Sequence, residues 1–251
     1  MTNEEILMRA YVENKLYKAP ALAPYLGKAA ILWTENDPSL IWDIIVLLPD
    51  ELFSEFIRRY SDCFVIDDHE HVPWVFTRVK SFEWLKGDFE SRLPIALWIY
   101  QNSLILQDRE GRFGEVLQKQ KEIFIKIILE ILRKKYLEFR TERHNLRHAL
   151  ERGNVVAITI IKNTVVKLAL EVSFLIERKP YPYKKWLPLA VQRETSNGKE
   201  VLQISEDFLN TADHKKTIEL SDCLVEKVVK MLVETSMFPE DFLRKWWLNL
   251  A

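Results

Sequence analysis

The spacing of apolar residues changes near residue 115, and this change limits the folds open to the chain. Before residue 115, short apolar runs alternate with turn residues, whereas after it apolar residues recur every three or four positions. Buried strands produce the first pattern and amphipathic helices produce the second. The sequence therefore predicts an α+β protein with two domains: a mixed β-sheet domain with flanking helices over residues 1–115, and a helical bundle over residues 116–251.

The first domain is predicted to contain five strands and three helices. The strands are expected at residues 29–33, 40–48, 64–66, 74–83 and 104–107. The helices are expected at residues 3–15, 49–59 and 92–102. Because the run 40–48 is almost wholly apolar, we expect this strand to be buried on both faces of the sheet.

The second domain is predicted to be helical apart from one extended segment and one loop. A long helix, or two, over residues 118–151 ends at Gly153, and Asn154 can cap the helix that follows. Seven apolar residues of that next helix follow alternating steps of three and four, which predicts the centre of the bundle. A loop is expected over residues 192–200, and further helices over residues 218–235 and 239–249.

Residues 179–188, which we call the strap, interrupt the helical sequence with three prolines, two tyrosines, one tryptophan and three lysines. Proline fixes φ and removes a backbone donor, so the strap must leave the preceding helix in an extended conformation. One interpretation is a rigid connection whose aromatic rings pack between helices. The other is a ligand-facing segment in which Lys184 or Lys185 is aimed at an anionic group.

The ligand-facing interpretation names three strap residues as candidate ligand-binding residues. A stiff backbone presents Tyr183, Lys185 and Trp186 together, and their aromatic and cationic side chains suit a ligand-facing surface better than a core. We therefore predict that these residues line a groove between the two domains. The predicted partner is a small molecule bound in this groove.

The charge of the chain excludes some classes of partner. Thirty-six basic and 37 acidic residues leave a net charge of −1, so no global field favours nucleic acid or an anionic membrane. The N-terminal segment lacks a basic region followed by an apolar one, and no apolar run reaches membrane-spanning length. We predict a cytoplasmic protein without a membrane partner. The sequence leaves open whether the chain forms a homodimer.

The order of the predicted elements resembles the nucleotidyltransferase-fold superfamily. A helix, two adjoining strands with a polar turn between them, the run 42–51 and then a helix resemble the opening of that fold. The segment 104–111 resembles the strand and Asp-x-x-Gly turn that end this domain in aminoglycoside and lincosamide nucleotidyltransferases. The Pro-Tyr-x-Lys-Trp-Leu motif at 182–187 is similar to the C-terminal helical domain of a group of bacterial nucleotidyltransferase-like proteins.

This resemblance implies transfer of a nucleoside monophosphate from a nucleotide triphosphate to a hydroxyl of a small acceptor. Two Mg²⁺ ions would bridge the phosphates and activate the acceptor oxygen. The superfamily holds them with a Gly-Ser turn and an Asp-x-Asp pair at the start of the second strand. The alternation of side chains along a strand places both carboxylates of that pair on one face.

The sequence departs from the superfamily at both motifs. Thr34 and Glu35 stand where Gly-Ser is expected, and Asp43 has isoleucines two residues before and after it. Asp43 is therefore the main catalytic candidate. A rearranged acid set could add Asp37 and Glu83, and the remaining acids considered for this set are Glu35 and Asp88.

A second acidic cluster offers a weaker candidate for a metal site. His69 and His71 follow two aspartates, and alternation along a strand would put both imidazoles on one face, which is adequate for a transition metal. A polar hairpin loop is the favoured interpretation of the same residues.

Three functions compete on this sequence. The chain could be a working nucleotidyltransferase with an unusual acid set, or a degenerate member of the fold that binds a ligand or a protein without catalysis. The third is a purely structural or interaction protein. Because the metal-binding motifs are missing, we expect Mg²⁺ with ATP or GTP to bind weakly or not at all.

Overall fold

The computed structural model describes residues 2–34, 41–62 and 64–250 of the chain. Contacts divide the chain into two compact units, Met1–Ile123 and Phe124–Ala251. The predicted domain boundary at residue 115 stays a prediction, because a compact contact unit is not by itself an independently folding domain. Asp37 and Glu35 lie outside the described residues.

The first unit contains a five-stranded mixed sheet in the order β3-β4-β2-β1-β5. The strands are β1 Ala30–Trp33, β2 Ile41–Leu48, β3 Val65–Asp68, β4 Trp74–Ser81 and β5 Leu104–Asp108. Strands β2 and β4 are parallel, and the other neighbouring pairs are antiparallel. This confirms the predicted mixed sheet and its five strands.

The first unit also contains three α-helices. They are α1 Asn3–Tyr11, α2 Asp50–Arg59 and α3 Phe82–Gln101, and a π-helix at Val12–Leu16 continues α1. Of these, α2 and α3 contact the sheet. One face of β2 carries Trp42, Ile44 and Val46, which belong to a buried cluster that includes Met8 and Phe56. The other face carries Ile45 and Leu47, which are also buried, so β2 is covered on both faces as predicted.

Two predicted boundaries around α3 are wrong. The strand expected over residues 74–83 ends at Ser81, because the Ser81 hydroxyl accepts a hydrogen bond from the Trp84 amide at 3.0 Å and caps a helix. The helix expected at residue 92 therefore begins at Phe82. Arg92 has non-helical φ and ψ of −153° and 49°, a kink that precedes Pro94 by two residues.

The second unit is a helical bundle. Its helices are the greater part of α4 Arg112–Glu151, then α5 Val155–Ile176, α6 Leu187–Glu194, α7 Gly198–Asn210, α8 His214–Thr235 and α9 Glu240–Arg244. As predicted, the Asn154 side chain caps α5 by accepting from the Ala157 amide at 3.0 Å. Helix α5 contacts α6, α7 and α8, and nearly every residue from Val165 to Ile176 is buried, which confirms it as the centre of the bundle.

The loop predicted over residues 192–200 is wrong. Helix α6 runs to Glu194 and α7 begins at Gly198, so only three residues separate the two helices. A β-carbon at Gly198 would lie 1.8 Å from the Val191 carbonyl oxygen, so glycine is what permits this tight connection.

No helix within the described ranges is both long enough and apolar enough to cross a membrane. The cytoplasmic location and the homodimer stay predictions.

Candidate functional site

Asp43, the main catalytic candidate, lies on β2 and is paired with an arginine of β4. The Nη2 atom of Arg78 donates to both carboxylate oxygens of Asp43, at 3.0 and 2.8 Å. The Asp43 side chain is 25% exposed and the Arg78 side chain is 33% exposed. The negative charge of Asp43 is therefore balanced by a guanidinium in direct contact with it.

Thr34, the residue that follows β1, is also held by hydrogen bonds to β2. The backbone N–H of Thr34 donates to the Asp43 carbonyl at 2.9 Å, and the Thr34 hydroxyl donates to the same oxygen at 3.2 Å. Thr34 is buried. Thr34 stands where the superfamily places a glycine-containing turn, and both of its donors are satisfied within the hairpin.

Asp88 is brought into the first unit's interior and is also paired. Its carboxylate, 9% exposed, accepts from Arg92 at 2.7 and 3.0 Å and from the Tyr100 hydroxyl at 3.1 Å. Burial raises the pKa of Tyr100, and the charge and hydrogen bond of Asp88 raise it further, so Tyr100 is a neutral donor here. Arg78 lies close enough to oppose this increase in the pKa of Tyr100.

Glu83 does not join these acids. It lies in the first turn of α3 with its side chain 74% exposed, and its carboxylate pairs with Lys86 at 3.2 Å. A strand residue would alternate with its neighbours towards the sheet face, whereas this helical position points to solvent. Glu83 is therefore removed from the rearranged acid set.

The histidine cluster forms a loop, as the favoured interpretation predicted. Strand β3 ends at Asp68, and His69 stacks on Trp74 with ring centroids 4.7 Å apart while its Nε2 lies 3.0 Å from Asp67. The Nδ1 atom of His71 lies 2.8 Å from the Pro73 carbonyl oxygen. Across residues 2–34, 41–62 and 64–250, no group of three or more His, Cys, Asp or Glu side chains is placed to hold a metal ion.

The three strap candidates form one cluster in the second unit. The Trp186 indole N–H donates to the Tyr183 hydroxyl at 3.0 Å. The Lys185 ammonium lies over both rings, 5.6 Å from the centroid of Tyr183 and 5.2 Å from that of Trp186. The rings are half-buried and Lys185 is exposed, so the structure brings the three residues together at the surface. Their place in an inter-domain groove stays a prediction.

Comparison with known proteins bears on the fold. The chain is similar to the crystal structure of a nucleotidyltransferase-like protein from Exiguobacterium sibiricum 255-15, with a TM-score of 0.52 and 11% sequence identity. The similarity covers 94% of this chain and 78% of that one. The chain has a nucleotidyltransferase-like fold.

Two further comparisons concern the sequence. The profile of a domain of unknown function (DUF4037) matches residues 94–187 of this nucleotidyltransferase-like chain, a segment that includes Tyr183, Lys185 and Trp186. No curated protein matches the sequence. The structural comparison confirms the predicted nucleotidyltransferase-like fold, while membership of the superfamily and of a branch within it stays a prediction.

A buried carboxylate in the bundle was missed by the sequence analysis. Glu171 of α5 is 3% exposed, and its two oxygens lie 2.9 Å from the Lys135 ammonium and 3.1 Å from that of Lys167. The Lys135 contact is an ion pair without hydrogen-bond alignment, since the Glu171 Oε2 atom has no hydrogen-bond partner within the described ranges. An acid inside the apolar run 168–176 is the signal that could have indicated it, because a buried carboxylate requires a partner.

Lys184 of the strap was named in the sequence analysis, and the structure places it on a cavity. The cavity has a volume of about 440 Å³ and lies among α5, α6, the strap and the end of α7. Lys167 and Leu170 line it from α5, and Leu187 lines it from the first residue of α6. The sequence contained no signal for this cavity, because it depends on how three helices meet.

Proposed function

We propose that this chain is a ligand-binding protein that keeps a nucleotidyltransferase-like fold without nucleotidyl-transfer chemistry. The observation that supports it is the ion pair between Arg78 and Asp43. A two-metal site requires several carboxylates that converge on one place, and Asp43, the described carboxylate at the expected position, is in contact with a cation instead.

The charge arrangement does not fit Mg²⁺ at Asp43. A divalent ion there would have to displace the Arg78 guanidinium or bind beside it, and both cost electrostatic energy. Asp88 offers no second ligand, since its oxygens already accept hydrogen bonds from Arg92 and Tyr100. The satisfied donors of Thr34 support the same conclusion for the phosphates, because the turn has no free amide from that residue to offer them.

Under this proposal the ligand is a small molecule whose binding requires neither a metal ion nor a nucleotide. The clustered side chains of Tyr183, Lys185 and Trp186 support a role of the strap in binding, since two half-buried aromatic rings and an exposed ammonium meet at the surface. This role does not require Asp43, which we assign to stabilising the contact between β2 and β4.

Titration calorimetry with Mg²⁺-ATP and Mg²⁺-GTP tests the proposal, together with an assay for transfer of label from an α-labelled nucleotide. The proteins are the natural chain, Asp43→Asn and, as a matched control, Glu115→Gln at an exposed position. We expect no saturable metal-dependent binding and no transfer in any of the three.

Micromolar metal-dependent binding that is lost in Asp43→Asn and kept in Glu115→Gln would overturn the proposal and restore a working nucleotidyltransferase. Arg78→Gln adds a second arm, because it removes the guanidinium in contact with Asp43 while leaving the carboxylate in place. If Arg78 is what prevents metal binding, this variant gains weak Mg²⁺ affinity relative to the natural chain.

A further inference from the structure

The cavity between α5, α6 and α7 has the size and lining of a ligand site. Its volume of about 440 Å³ falls within the range of about 300–1,000 Å³ usual for small-molecule sites. Val166, Leu170 and Leu187 form a buried apolar wall, while Pro188 and Leu209 are more exposed. An apolar group placed against this wall would be removed from water, which favours binding.

Polar groups on the cavity wall leave few donors for a ligand. The Asn163 amide nitrogen donates to the Thr159 carbonyl at 2.7 Å, and the Thr164 hydroxyl donates to the Ile160 carbonyl at 2.9 Å. The Thr164 hydroxyl proton and one of the two Asn163 amide protons are therefore used within α5. The lysines at 167 and 184 remain as the strong donors that line the cavity.

The charges near the cavity single out Lys184. Lys167 and Lys135 both pair with Glu171, and Glu138 lies 3.9 Å from Lys135, so these four groups have no net charge. Lys184 is exposed and has no ion pair or hydrogen bond among the residues that the structure describes. Of the two lysines that line the cavity, Lys184 is therefore the one whose positive charge is uncompensated. Lys162 lies outside this lining and donates to the carbonyls of Leu209 and Thr211.

We infer that this cavity binds a small molecule with an apolar body and one anionic group, a carboxylate or a phosphate ester, whose charge pairs with Lys184. The inference rests on the proposed function in one respect, namely that the chain binds a small molecule. It assigns the site to the bundle and gives the chemical class of the ligand.

Calorimetric titration with decanoate and decyl phosphate tests the inference, and decan-1-ol serves as the uncharged probe. The variants are Lys184→Ala and, as a matched control, Lys199→Ala, which removes an exposed lysine of α7 that does not line the cavity. Melting temperatures establish that both variants fold. Leu209→Trp is a second cavity variant that fills the space beside a partly exposed wall residue.

Both anionic probes should bind more tightly than decan-1-ol, and Lys184→Ala should weaken them about two- to fivefold, the range of a partly exposed ion pair. Lys199→Ala should bind like the natural chain, and Leu209→Trp should weaken all three probes. Added salt should weaken only the anions. Tighter binding of decyl phosphate would identify a phosphate ester as the natural group, and tighter binding of decanoate would identify a carboxylic acid.

The inference fails if none of the probes binds, if decan-1-ol binds as tightly as the anions, or if Lys184→Ala and Lys199→Ala behave alike. These outcomes can be distinguished from a failure of the proposed function, because Asp43 is tested with Mg²⁺-nucleotide on the same protein preparation. If the chain binds nucleotide in a metal-dependent way and also binds the anionic probes as expected, the proposal that catalysis has been lost is wrong and the assignment of this cavity stands. If neither nucleotide nor anionic probe binds, only the assignment of the cavity is wrong.

Discussion

Arg78 and Asp43 are diagonal neighbours on adjacent parallel strands. In the register of β2 with β4, Asp43 aligns with Phe76 and Ile45 aligns with Arg78. Since side chains alternate along a strand, all four lie on one face of the sheet. The long arginine side chain reaches back by two positions to the aspartate, so the acid that the sequence marks as catalytic belongs to an ion pair between two strands.

A double-mutant cycle of Asp43→Asn and Arg78→Gln should measure this pair. Because both groups are partly buried, we expect a coupling free energy of unfolding of about 1 kcal/mol. Urea denaturation of the four proteins gives this value. The matched control is Glu83→Gln with Lys86→Gln, an exposed pair that should show a smaller coupling. Equal coupling in the two cycles would contradict the assigned role of Arg78.

Loss of both lysines that pair with Glu171 should destabilise the chain more than loss of either one. Lys135→Met or Lys167→Met alone leaves the buried carboxylate with one cation, so each should cost about 1–2 kcal/mol of unfolding free energy. The double variant leaves an unpaired buried charge and should cost about 3–5 kcal/mol or more. Denaturant titration checks this. Adding Glu171→Gln to the double variant should recover stability, and no recovery would contradict the assigned ion pairs.

Glu177, which follows α5, should make stability depend on acid pH. Burial raises the pKa of its carboxyl, but hydrogen bonds from Lys179 and from the Ser196 amide outweigh this effect, and the net pKa is below its usual value of 4.5. A depressed pKa contributes stability that is complete above the unfolded value and is lost as pH falls through the folded value.

Glu177→Gln should therefore be less stable than the natural chain at pH 7, by about 1 kcal/mol. The difference should shrink as pH falls from 4.5 through the lower folded pKa of Glu177, below which both proteins lack the charge. Thermal melts across this range test the prediction, with Glu206→Gln at an exposed position as the control. A difference that is constant with pH would show that the carboxylate charge is not involved.

Substitution by alanine should change the free energy of unfolding in opposite directions at two glycines. A β-carbon at Gly198 would lie 1.8 Å from the Val191 oxygen and 2.6 Å from the Thr195 hydroxyl oxygen, so Gly198→Ala should cost about 3 kcal/mol or more. Gly87 lies in α3 with nothing within 4 Å of its β-carbon position, so Gly87→Ala should stabilise by about 0.5–1 kcal/mol. Denaturation midpoints compare them, and a tolerated Gly198→Ala would contradict the close approach of α6 and α7.

The sequence by itself determined the elements whose signal is local. The alternating and helical periodicities identified the five strands and the central helix α5, because burial of one face imposes a period on the chain. Asn154 identified the start of α5, since a cap acts over three residues. Local rules gave a wrong boundary at Ser81. Its hydroxyl is a helix-capping signal, but the apolar alternation before it extended the predicted strand to residue 83.

Only the tertiary structure decided which groups meet. Arg78 is 35 residues from Asp43 in the chain, and the register of two parallel strands alone brings them into contact. The start of α7 at Gly198 depends on a backbone approach to Val191 that turn-forming residues do not reveal. Charge pairing, cavities and close approaches are set by distances between separate elements, and a one-dimensional pattern specifies faces of elements without specifying the neighbours those faces contact.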